Sequence, residues 1–235
     1  MEFDELVDLA RHVWRGASGR SARAVLPSGF PTLDSRLPGG GWPRGALIEI
    51  FVSRYGIGEL TLLIPALAAL TRAVPGEAPK WVAWIAPPFI PYPPALTQRG
   101  VRIERLLMIH PSAARRDRLW AIEQVVRSGS SVGVLAWLAQ ADDVVLRRLQ
   151  LATEERGCWT VLFRPVEALE ARSPAALRLR VGRSSHGLHV EIVKCRGGRP
   201  STVELDELHM CSAFAEANAV REAHGASLKQ PGVTA

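Results

Sequence analysis

Between residues 46 and 164 short apolar runs alternate with longer segments of helical periodicity, and this alternation constrains the fold more than any other feature of the chain. Residues 46–51, 81–86, 106–110, 132–138 and 159–164 read as strands. Residues 59–73, 115–128 and 143–156 carry apolar side chains at helical spacing. Strands separated by helices build a parallel sheet covered on both faces, in which a strand is apolar along its whole length. Two further runs, 177–181 and 188–194, are close enough to pair as an antiparallel hairpin. The expected fold class is α/β, a mostly parallel sheet flanked by helices with a C-terminal antiparallel hairpin.

A chain of 235 residues with 47% apolar content fits one globular core. Its apolar runs, such as 62–70, contain a proline and fall short of the ~20 residues that cross a bilayer. The acidic N-terminus is no secretory signal. Cys158, Cys195 and Cys211 lie far apart without metal spacing, as expected of free thiols in a reducing cytoplasm. The six histidines show neither metal nor triad spacing, and His110 reads as a strand-end residue. Asp142 and Asp143 open a helix and read as an N-cap. The net charge of +6 permits an acidic partner or nucleic acid. Lysine occurs only at Lys80, Lys194 and Lys229, an arginine bias that a GC-rich genome also produces.

Two appendages flank the expected core of residues 25–210. In residues 1–24, Phe3, Leu6, Val7, Ala10, Val13 and Trp14 form a helical stripe followed by a small, polar linker. In residues 211–235, Phe214, Ala215, Ala219 and Val220 form one short apolar face of a segment too small to be stable alone. The N-terminal stripe has to bury its face on the core or on a partner, whereas 211–235 is expected to be a flexible segment that either folds on a partner or stays a frayed tail.

The stretch "IEIFVSRYGIGELTLL" (48–63) has the layout of a phosphate-binding loop, strand then glycine turn then apolar segment, but not its chemistry. With Ser53 at the first glycine of G-x-x-x-x-G-K-[ST] and Gly58 at the second, Glu59 falls on the lysine and Leu60 on the hydroxyl residue. Gly56 supplies a further flexible point in the turn. Glu59 puts negative charge where phosphate sits, and Leu60 offers no oxygen to Mg²⁺, a cation that demands it.

The order of pieces resembles the RecA ATPase core. "SGFPTLDSRLPGGGWPRGALIEI" (28–50), "PYPPALTQRGVRIERLLMIHP" (91–111) and "AIEQVVRSGSSVGVLAW" (121–137) match its entry segment, second-strand outlet and metal-site strand. Within that set, "VWRG", "GIGEL" and "WIAPPFIPYPPAL" resemble the ImuA family, the RecA-like subunits of a bacterial translesion synthesis cassette. On the RecA pattern Trp137 occupies the position of the metal-holding aspartate, and the water-activating glutamate falls near Pro88, where no acid is present. The resemblance therefore implies a non-catalytic adaptor in DNA-damage tolerance, with no cofactor. Its implied partners are an ImuB-like inactive Y-family polymerase and the RecA recombinase. A cell-division inhibitor like SulA and a residual ATPase stay open as alternatives.

The two positions where recombinases carry mobile DNA-gripping loops are short here, 139–141 and 165–176, so any DNA contact is expected to be weak or indirect. The basic turn "VKCRGGRP", with Lys194, Arg196 and Arg199, is either a solvated turn or a contact for an acidic partner, a neighbouring copy's phosphate or DNA backbone. The arginines of "SAARRDR" read as surface charge. Phe89, Ile90 and Tyr92, on a proline-rich outlet loop, are candidates for partner docking, since such loops lose little entropy on binding.

Overall fold

The computed structural model describes residues 25–72 and 78–206. The N-terminal stripe (Phe3, Leu6, Val13, Trp14) and the C-terminal face (Phe214, Val220) lie outside the described residues. The strands are β1 (Val25–Leu26), β2 (Trp42–Pro43), β3 (Ala46–Val52), β4 (Trp81–Ile85) and β5 (Leu106–Ile109). They continue with β6 (Ser131–Trp137), β7 (Trp159–Pro165), β8 (Leu177–Arg183), β9 (Gly187–Cys195) and β10 (Ser201–Asp206). Eight of them form one sheet in the order β10-β9-β8-β3-β7-β6-β4-β5. From β8 to β5 every neighbouring pair is parallel. β9 and β10 add an antiparallel edge. The expected sheet and hairpin are both present. β10 is an addition: Val203 and Leu205 are its buried apolar residues, a period-two signal too short to stand out.

The helices are α1 (Pro31–Asp34), α2 (Ile64–Thr71), α3 (Pro93–Gln98), α4 (Arg115–Ser128) and α5 (Asp143–Arg156). α4 and α5 span the segments read from periodicity because strong local signals bound them. Asp142 caps α5, its carboxylate accepting from the Val145 amide at 2.9 Å. Gly129 and Gly157 end the two helices at φ 70° and 63°, a conformation glycine adopts without steric cost. Among the described residues no helix is long and apolar enough to cross a membrane.

The sheet separates two apolar clusters. Ile48 and Ile50 pack with Leu62, Leu67 and Trp42 on one face; Leu47, Ile85 and Val134 pack with Ile122, Leu146 and Leu149 on the other. All seven residues of β3 are buried, as the centre of a two-sided sheet requires. One of them is charged. Glu49, with no exposed surface, accepts from Arg164 Nη1 of β7 at 2.6 Å and from Arg178 Nε of β8 at 3.0 Å. Both guanidinium groups stand over the Phe51 ring, 5.8 and 4.8 Å from its centroid. Their outer nitrogens donate to the Ala141 and Leu169 carbonyls, so the buried charges are paired and also tie down two loops.

Candidate functional site

β3 lies between β8 and β7, and the chain leaves its carboxyl end as the loop that begins at Ser53. Ser53 is exposed. Gly56 and Gly58 sit at φ 86° and 103°, which side chains with a Cβ rarely adopt. The turn they make folds Glu59 back on the loop. The carboxylate accepts from the Gly56 amide at 2.9 and 3.1 Å and from the Ile57 amide at 2.9 Å, and Glu59 is 4% exposed. Successive backbone amides turned toward one anion form a nest. Here the anion is a side chain of the loop itself. The amides of Gly56 and Ile57 are therefore already occupied.

The expected helix over 59–73 begins later. Residues Thr61–Leu63 form one 3-10 turn and α2 starts at Ile64. Pro65 is the reason: it has no N–H to give to a preceding turn, so it fits only at the start of an α-helix. Glu59 lies ahead of the helix and serves the nest. Leu60 is half-buried and packs against the core.

Opposite the loop, Trp137 at the end of β6 stacks on Phe163 at 4.7 Å and leans on Trp84 at 5.7 Å. Gly56, Gly58, Glu59, Leu60, Trp84, Pro88, Phe89, Pro91 and Trp137 together line an open, mostly apolar pocket of about 270 Å³. A phosphate entering it would have to displace Glu59 and then face that carboxylate; at 4 Å and an effective dielectric of 20 the repulsion is about 4 kcal/mol per unit charge.

Phe89, Ile90 and Tyr92 are 65, 83 and 72% exposed on the outlet loop after β4. Trp84 of the same stretch is in the core. The basic turn does not present its charges as a single patch. Lys194 Nζ donates to the Ser173 carbonyl at 2.7 Å, and burial, then the nearby Arg178 and Arg196, hold its pKa below the usual lysine range. Arg196 reaches the Pro174 carbonyl at 3.2 Å and Glu154 at 3.3 Å. Both fasten the segment before β8, while Arg199 is exposed beyond β9.

Two groupings lay outside the sequence reading. The Glu49–Arg164–Arg178 cluster had one signal, a glutamate inside an otherwise apolar strand. The other is the meeting of Tyr55, His110 and Arg118 in a second pocket beside the first. No spacing joins residues so far apart, and Arg118 belongs to the run read as plain surface charge. Burial first, and then the Glu59 carboxylate, push the Tyr55 phenol pKa up, with Arg118 opposing.

A parallel sheet with an antiparallel edge and a glycine loop leaving its central strand define an α/β protein of the RecA-like class. In agreement, the chain is 34% identical over 107 residues to Protein RecA 1 of Myxococcus xanthus, covering 46% of this chain and 29% of that protein. It is 30% identical over 129 residues to Cell division inhibitor SulA of Edwardsiella piscicida, covering 53% of this chain and 74% of that protein. It is also 30% identical over 210 residues to Protein ImuA of Caulobacter vibrioides (strain NA1000 / CB15N), covering 78% of this chain and 84% of the relative. The chain belongs to the ImuA family. No protein-family model matches it.

Proposed function

We propose that the chain is a non-catalytic RecA-like adaptor of a bacterial DNA-damage tolerance complex, acting in translesion synthesis through protein–protein contacts. The observation that carries this reading is the Glu59 carboxylate in the loop's own nest, where a working site needs a lysine and empty amides. Leu60 and Trp137 support it, since neither supplies an oxygen to Mg²⁺. The proposed partners are an ImuB-like inactive polymerase and the RecA recombinase, with residues 1–24 and 211–235 as tethered docking segments around the core. A SulA-like role in division is the competing reading, favoured by the match to SulA over 53% of the chain.

Two measurements test the proposal. Calorimetry of the purified chain with Mg-ATP is expected to give no saturable binding in the micromolar range and no hydrolysis. Robust turnover that disappears on a loop substitution overturns the non-catalytic reading. Capture with a tagged chain from damage-treated cells is expected to return an ImuB-like polymerase and RecA. Recovery of the division machinery in their place supports the SulA-like role.

A further inference from the structure

Beyond the carboxyl ends of the parallel strands, Ala86 follows β4, His110 follows β5 and Ala139 lies past β6. With Tyr55 of the β3 loop, Pro87, Pro88, Pro111, Trp137 and Arg118 of α4, they line an open pocket of about 320 Å³. Open α/β sheets take their ligands at this end of the strands. Pro88 and Trp137 belong to both pockets, which therefore adjoin.

Three observations say what the pocket wants. Arg118 Nε is buried and has no acceptor, a state that an incoming anion would relieve. The adjacent Asp117 does not serve it, because that carboxylate is engaged by the Ser112 hydroxyl and by Arg116 at 3.6 Å. Ala86 has φ 53°, the one non-glycine residue with positive φ among the described residues, and strain of this kind gathers at binding sites.

The charge balance selects the anion. The lining contains one permanent cation, Arg118, and no carboxylate. A phosphate carries about −1.5 to −2 at neutral pH and would leave excess negative charge close to Glu59. A single carboxylate matches Arg118 and can take its planar fork in two parallel hydrogen bonds. The loop that supplies Pro87 and Pro88 also carries Phe89, Ile90 and Tyr92 into solvent, an apolar rim beside a cationic floor.

We propose that this pocket binds an aspartate or glutamate side chain flanked by large apolar residues in a peptide segment of a partner protein, with Arg118 holding the carboxylate. The proposal rests on the adaptor reading for the origin of the peptide in another protein.

The test uses the full chain and two synthetic peptides, acetyl-Leu-Phe-Asp-Leu-amide and its Asn isostere, with inorganic phosphate as a third ligand. Binding is followed by amide chemical shifts. The Asp peptide is expected to bind about tenfold or more tightly than the Asn peptide, the usual return of a charge-assisted pair. Arg118→Met is expected to erase that ratio and Arg118→Lys to leave part of it. Arg116→Met, at a side chain 95% exposed, is expected to leave it whole. Thermal melts check that each variant folds, and the Arg118→Lys comparison decides alone if Arg118→Met does not. Equal binding of the two peptides, a ratio that survives Arg118→Met, or a ratio undiminished in Arg118→Lys overturns the proposal. Phosphate binding as tight as the Asp peptide also overturns it and makes the pocket a phosphate site. Mg-ATP turnover would remove the adaptor reading and leave the peptide ratio standing, so the two failures are distinguishable.

Discussion

Replacing Glu59 tests whether a side chain has taken the place of a bound anion. In Glu59→Ala the Ile57 amide loses its acceptor in a buried position, which costs about 1–3 kcal/mol. Gly56 is exposed, so water can recover part of what its amide loses. The sum is about 3 kcal/mol, or roughly 6–12 °C in melting temperature for a chain of this size. Glu59→Gln keeps one oxygen at the same reach and loses the charge, so its cost is smaller, about 1–2 kcal/mol. The decisive arm is rescue. The emptied nest in Glu59→Ala can take a free anion, and sulfate at ten times its Kd adds about 1.4 kcal/mol by mass action. Sulfate also strengthens burial in any protein, so the readout is the excess stabilisation of the variant over the unsubstituted chain in the same sulfate titration. A variant that melts with the unsubstituted chain and responds identically to sulfate would refute the reasoning, because the carboxylate would then not be what holds the turn.

Three further outcomes are expected, two of them away from the loop. Glu49→Gln leaves two buried guanidinium groups without their counter-charge and is expected to cost about 3–5 kcal/mol in urea unfolding, whereas a change below about 1 kcal/mol would show the cluster to be well hydrated. The double substitution Glu59→Lys with Leu60→Thr is expected to yield no Mg-ATP hydrolysis, because Trp137 still gives the metal no carboxylate; turnover above background would contradict this. Burial pushes the Cys158 thiol pKa up to about 11, so at pH 8 roughly one molecule in a thousand is thiolate. Peptide-resolved alkylation with iodoacetamide at that pH is expected to spare Cys158 in the folded chain and to modify it in urea.

The parts of the fold written in local chemistry were legible in the sequence. α4 and α5 have periodic faces, and glycine stops and an aspartate cap bound them. The core strands carry runs of apolar residues because the sheet buries both of their sides. Where the signal was brief or contradictory, the reading was displaced. Pro65 moved the start of α2 beyond Glu59, and β10 offered too few buried residues to announce itself. Around the loop, the substitutions at Glu59, Leu60 and Trp137 could be counted along the chain. The use of Glu59 could not, since it depends on the carboxylate folding back onto amides two and three residues earlier. The pocket around Arg118 was out of reach for a different reason. Its lining comes from five separate stretches, and only the folded sheet brings them together.

The Glu49 cluster also has a consequence for how the sheet is assembled. Its two ion pairs join residues 115 and 129 positions apart, across both neighbours of the central strand. A one-residue slip of β8 against β3 would turn Arg178 toward the apolar face occupied by Ile48 and Ile50, and would strand Glu49 without one partner. Misregistered sheets of this chain thus carry an uncompensated charge in their interior, while the native alignment does not. Parallel pairings so distant in sequence form slowly and are prone to settle in wrong alignments. A charged residue at the centre of the most buried strand marks the correct one.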